Sequence, residues 1–168
     1  MKHKINRTCQ IALLFVLGLV HGPAQSETLT TLRGVAPLEV DQPLAVDSVD
    51  QKGNSFNHEK LLKLNLTVPE QAAFTQPYEA DTAGLFHLAS GTEKPFVQLF
   101  SFYVHGEAYG KVKVKVVTPA LAELFVNGTS VSTKTTAEES QAQAKELSAT
   151  LAPYPQAARV VVKLFSPS

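Results

Sequence analysis

Along Lys111 to Val116 the chain reads KVKVKV, a strict alternation of charged and apolar residues. Successive side chains on a strand point to opposite faces, so Val112, Val114 and Val116 line one face and Lys111, Lys113 and Lys115 the other. That pattern predicts an antiparallel sheet with one dry and one wet face. After Thr118-Pro119 a second strand is expected over Leu121–Val126, ending in Asn127-Gly128, a dipeptide suited to a tight hairpin turn, with a third over Thr129–Thr133. Alternation groups Ala122, Leu124 and Val126 and leaves Glu123 outward. Glu123 is expected to face the lysine row across a hairpin, a charge pair contributing roughly 0.2–1 kcal/mol.

The flanking sequence extends the pattern. Pro43–Val49 reads as a first strand, Gly53-Asn54 as a turn, and His58–Lys63 as a short helical turn capped by Asn57. Leu64–Val68 alternates and stops at Pro69, and residues 69–82 look like loop. Gly84–Leu88 opens the denser half. Phe96–Val104 follows, with Phe100, Phe102 and Val104 on one face and Leu99, Ser101 and Tyr103 on the other. Residues 137–146 are polar without an apolar stripe, which suits a surface loop or one short helix. Leu147–Leu151 and Ala158–Phe165 supply the last strands. About eight short strands between turn signals predict an all-β, antiparallel β-sandwich of jelly-roll or immunoglobulin-like kind. No fixed-period repeat is present.

The first 26 residues read differently. Lys2, Lys4 and Arg7 precede an apolar run over Ile11–Val20, Gly22-Pro23 breaks it, and Ala24-Gln25-Ser26 resembles a cleavage site. This is the anatomy of a secretory signal peptide, and the run is too short to span a bilayer. The expected organisation is a signal over 1–26, an extended lead-in or edge segment over 27–43, and a sandwich over 44–168. Cys9 precedes the apolar run, which is not a lipoprotein arrangement. Removing 26 residues from 168 leaves 142, with no cysteine, 12 basic and 15 acidic residues, and a formal charge of −3. Such a domain must hold itself together by burial alone. Its charge argues against nucleic acid as a partner, and no membrane span is expected after cleavage. Export without cysteine fits the periplasm or envelope of a Gram-negative bacterium. Two glycosylation-type sequons after residue 26, at Asn65 and Asn127, are expected to be chance matches.

Candidate chemistry is sparse. His58, His87 and His105 show no metal-type spacing, and Asp41, Asp47, Asp50 and Asp81 form no calcium loop. No nucleophile elbow, zinc helix or phosphate loop occurs, so neither catalysis nor a cofactor is expected. Tyr78, Tyr103, Tyr109 and Tyr154 offer aromatic platforms, and the binding candidates are Tyr103 and Tyr109 with the row Lys111, Lys113 and Lys115. The lysines also suit a solvated strand face that deters edge-to-edge pairing. The chain lacks tryptophan, which weakens a sugar-stacking reading.

Two stretches carry a resemblance. Ala122–Gly128 (AELFVNG) resembles a hairpin of galactose-binding-like jelly rolls, accessory domains of glycoside hydrolases. From about Val46 to Phe165, the succession DSVD-x-KG-x-x-F, D-x-x-G-x-F, SFYV, KVKVKVVTP, ELFVNG, KTT-x-E-x-S and VVVKL is similar to an exported module. That module stands ahead of TolB-like or WD40-like β-propellers in envelope proteins of Gram-negative anaerobes. The resemblance implies a non-catalytic structural or interaction module that contacts a protein partner or adjacent domain. The sequence departs from that pattern in having no propeller before Ser168, which leaves two expectations, a complete working protein or a truncated form of a longer propeller-containing one. The alternative is a carbohydrate-binding module with a glycan ligand.

Overall fold

The computed structural model describes residues 12–19, 26–39, 68–87, 96–106 and 109–166. The strands expected at 43–49 and 64–67, the turn at 53–54 and the helical turn at 58–63 lie outside these residues. Among the described residues there are twelve strands: β1 (Ala12–Leu19), β2 (Ser26–Thr28), β3 (Thr31–Gly34), β4 (Leu38–Glu39), β5 (Gln76–Glu79), β6 (Phe86–His87), β7 (Phe96–Val104), β8 (Val112–Thr118), β9 (Leu121–Val126), β10 (Thr129–Lys134), β11 (Lys145–Leu151) and β12 (Ala158–Ser166). Only two single 3₁₀ turns, Gln71–Ala73 and Gln141–Gln143, interrupt them. The chain is an all-β protein.

Every ladder is antiparallel, and the strands form two sheets. The smaller runs β11-β8-β1-β2, with β6 also on β1, and the larger runs β10-β9-β12-β7-β3-β5, with β4 also on β7. Valines 112, 114 and 116 of β8 belong to one core with Phe100, Phe102, Val104, Leu124, Val160, Val162 and Leu164 of the larger sheet. The alternation of β8 thus marks a strand with one face in the core and the other partly exposed.

Strands β7 and β12 behave otherwise. From Phe96 to Phe102 every residue of β7 is buried, and so is every residue of β12 from Val160 to Phe165. They are central strands of the larger sheet, and its outer face is also dry. There Leu99 and Val161 pack with Phe74, against Val35, Val68 and Phe125. A strand covered on both sides needs apolar residues at consecutive positions, which is why FVQLFSFYV and VVVKLF alternate so poorly.

Four expectations are corrected. First, β8 and β9 do not pair as a hairpin. The chain leaves the smaller sheet at Thr118 and enters the larger at Leu121, with the Thr118 hydroxyl accepting the Ala120 N–H at 3.2 Å. Second, Glu123 therefore faces Lys163 of β12 at 3.3 Å and accepts from Ser130, and it never meets the lysine row. Third, the stretch 69–82 contains β5, which pairs with β3. Pro77 is tolerated there because β5 is the edge of its sheet. Fourth, the lead-in supplies β3 and β4, which both pair with β7. The segment β1 falls on the apolar run read as a signal peptide, and it lies between β8 and β2.

The corner between the sheets is held by a buried ion pair. Lys134, at the end of β10, donates to the carbonyls of Ala120 (2.8 Å) and Thr136 (2.7 Å), and its ammonium lies 2.6 Å from Glu138. Both side chains are almost fully covered. The Glu138 N–H donates to the carbonyl of Pro119, so the same residue closes the corner through its backbone. Burial alone would raise the Glu138 pKa, but the hydrogen bond and charge of Lys134, aided by Lys145, outweigh it and hold it below the usual value. Burial lowers the Lys134 pKa despite the opposing pull of Glu138.

Candidate functional site

One end of the sandwich collects most of the residues singled out by the sequence. There β7 and β9 and β11 finish while β8, β10 and β12 begin, so three connections lie together. The Gly106 N–H donates to the carbonyl of Pro153 at 3.1 Å and joins the connection after β7 to the one before β12. Beside this bond Tyr109 meets Tyr154 edge-on, with centroids 4.7 Å apart and planes at 74°. Tyr109 is 84% exposed, the most open large apolar side chain among the described residues. Its ring has an available face and a neighbour that fixes its edge, which suits stacking or protein contact.

Tyr103 lies on the outer face of β7, half-exposed and directly across from Arg159 of β12. Arg159 was not anticipated from the sequence. Its Nε donates to Gln71 Oε1 (3.0 Å) and Ser101 Oγ (3.3 Å), and a terminal nitrogen donates to the Pro69 carbonyl (2.7 Å). Ser101 also donates to Gln71, and the guanidinium stands 5.3 Å over the Phe74 ring. This planar group satisfies several acceptors in a fork, a task a lysine point charge does poorly. Arg159 therefore fastens residues 69–74 across the outer face. The only trace in the sequence is a lone arginine leading an apolar strand, ARVVV.

Asn127 and Gly128 form the turn the sequence predicted. Both have positive φ, 49° and 82°, as a primed hairpin turn requires. Asn127 does more: its N–H donates to the Arg159 carbonyl (2.8 Å) and its Oδ1 accepts the Arg159 N–H (2.9 Å). The turn is thereby bound to the start of β12.

The lysine row is not assembled with these tyrosines. Lys111 precedes β8 and is exposed, while Lys113 and Lys115 point outward from the smaller sheet. Both reach Glu146 of β11, at 3.4 and 2.9 Å. Those contacts, the Lys115 hydrogen bond foremost, hold the Glu146 pKa below its usual value. All three partners are over a third exposed, so the arrangement contributes little to stability.

Two further polar groupings lie elsewhere. At the Asp81 turn, Oδ1 accepts the N–H groups of Ala83 and Leu85 while Oδ2 lies 2.6 Å from His87 Nε2. The backbone bond from Leu85 and then His87 keep the Asp81 carboxyl below its usual range. Beneath the core face, fully buried Gln98 donates to the Tyr78 hydroxyl at 2.6 Å, and Tyr78 donates to Gln76. Burial raises the Tyr78 pKa, although the bond from Gln98 pulls it down. Each grouping orders a turn or a strand edge. Among the described residues no three His, Cys, Asp or Glu come close enough to hold a metal, and no helix is long and apolar enough to cross a membrane.

Compared with protein-family models, curated proteins and solved structures, the chain gives no significant match.

Proposed function

We propose that this chain is a non-catalytic interaction module of an exported cell-envelope protein, working through contact with a protein partner or an adjacent domain. The observation that carries the reading is the fate of its polar side chains. Lys134 with Glu138, Lys163 with Glu123, and Arg159 with Gln71, Ser101 and Pro69 all hold the sandwich together. What remains prominent at the surface among the described residues is the loop-end ring of Tyr109, set edge-on against Tyr154. The basic start and short apolar run of the N-terminus support export through a cleaved signal.

A carbohydrate-binding role is the second reading, favoured by the same exposed ring on a loop rim. The test separates the two. The exported protein, purified from the envelope fraction, is chemically cross-linked in place and compared with Tyr109→Ala. A defined cross-linked protein lost on substitution supports the first reading. Saturable binding on a glycan array, abolished by Tyr109→Ala with no protein cross-link, selects the second. Hydrolysis of a polysaccharide or ester, lost on changing one residue, would overturn both.

A further inference from the structure

The apolar segment read as a removable leader is also the middle strand of the smaller sheet. Strand β1 pairs with β8 over six positions, from Leu14 opposite Val117 to Leu19 opposite Val112. On its other side it pairs with β2, and its first two residues pair with β6, so both strands join the sheet through β1. Take residues 1–26 away and, among the described residues, β8 keeps only β11. A two-stranded ribbon is marginal by itself, and the freed edge of β8 presents a row of unpaired N–H and C=O groups. Val114 and Val116, now fully covered, lie along that edge.

We infer that the place of β1 is a strand-accepting cleft, filled by Ala12–Leu19 before processing and afterwards by an extended apolar segment of a partner polypeptide running antiparallel to β8. The inference rests on the reading that residues 1–26 are removed. The chemistry of the occupant follows from the cleft. It needs about seven residues to match β8, which spans Val112–Thr118. It needs apolar residues at alternate positions, opposite Val112, Val114 and Val116. It needs no charge opposite Lys113 and Lys115, because Glu146 already serves both from the β11 side. The chain's own segment meets these conditions, since Ile11–Val20 contains no charged residue. Main-chain bonds would supply affinity and the valine positions selectivity, as in other strand additions.

The experiment uses the full chain with a specific protease sequence inserted between Gly22 and Ser26. The folded protein is cut, the leader fragment is stripped off in mild denaturant and removed by gel filtration, and the remainder is mixed with a fluorescein-labelled peptide of residues 11–20 carrying a lysine tail. Uptake of one peptide per domain, with slow amide exchange across Val112–Thr118 only while a peptide is bound, is the expected result. The same peptide with Leu17→Pro, a residue a central strand does not tolerate at the position opposite Val114, should bind at least about tenfold more weakly. Equal uptake of a scrambled apolar peptide overturns the inference. So does a cut protein whose β8 amides stay protected without peptide, because the chain then closes its own cleft. Dimerisation through β8 without uptake overturns it in favour of a second copy. N-terminal sequencing of the exported protein tests the leader separately: an intact Met1 ends that reading, whereas peptide uptake decides the cleft.

Discussion

Replacing Lys134 by methionine should be among the most damaging single changes in this protein. Methionine keeps most of the apolar stem but removes the ammonium. The Ala120 and Thr136 carbonyls then lose their donor, and the Glu138 carboxylate loses its countercharge in a nearly closed site. Breaking a buried pair from one side costs about 3–5 kcal/mol, because the remaining charge stays desolvated. Against a total stability of about 5–15 kcal/mol, that is a large share. It corresponds to a fall in Tm of roughly 6–20 °C for a chain of this size. Urea unfolding followed by circular dichroism is the suitable assay, since urea does not screen charge. The m-value should stay constant. Adding Glu138→Leu should recover much of the loss, with a coupling of about 1–3 kcal/mol. In the single variant burial acts on Glu138 unopposed by Lys134, so its pKa rises and the penalty shrinks as acid neutralises the carboxyl. A loss under about 1 kcal/mol for Lys134→Met, or a double variant as weak as the single, would refute the assignment of this pair as the clamp of the corner.

Other perturbations test other parts. Gly34→Ala places a methyl 2.7 Å from the Tyr78 ring and 3.1 Å from both the Leu99 carbonyl and the Phe100 ring. Tyr78 is itself held edge-on against Phe100, so the substitution should lose about 1–3 kcal/mol in urea unfolding; a neutral result contradicts the close approach of β3 to β7. Gly128→Ala meets no neighbour but must adopt φ near 82°, so about 1 kcal/mol should be lost through the backbone alone, with the m-value unchanged. The carboxyls of Asp81, Glu138 and Glu146 all have folded pKa values below the ordinary range. Each therefore adds stability above the unfolded value near 4, and that stability is lost as pH falls through the folded value. Melting temperature should decline below about pH 4, and a flat profile from pH 4 to 2 would count against these contacts.

The strands were readable wherever one face was wet. Val112–Val116 announced itself because Lys113 and Lys115 needed solvent, and Asn127-Gly128 because few other pairs accept two positive φ angles. The sandwich class followed from many such short runs. Sheet membership did not follow, because the corner at Thr118–Ala120 looks like a hairpin link in one dimension. Its true nature depends on Lys134 and Glu138, which reach it from after β10. Pairing Glu123 with the lysine row failed for the same reason. Strand β5 was hidden by Pro77, which an edge position tolerates. The candidate site was half legible: Tyr103, Tyr109, Asn127 and Gly128 come to one end, but Arg159 was invisible. Its acceptors at Pro69 and Gln71 lie some 90 positions away in the chain.

The position of β12 has a consequence for how the molecule comes into being. The last strand of the order stands in the middle of the larger sheet, between β9 and β7, and it also brings Arg159 to the segment at 69–74. During synthesis β7 and β9 must wait without their common neighbour until residues 158–166 emerge. Loss or displacement of residues 158–166 would therefore divide the larger sheet in two, leaving β10-β9 and β7-β3-β5 without the strand that joins them.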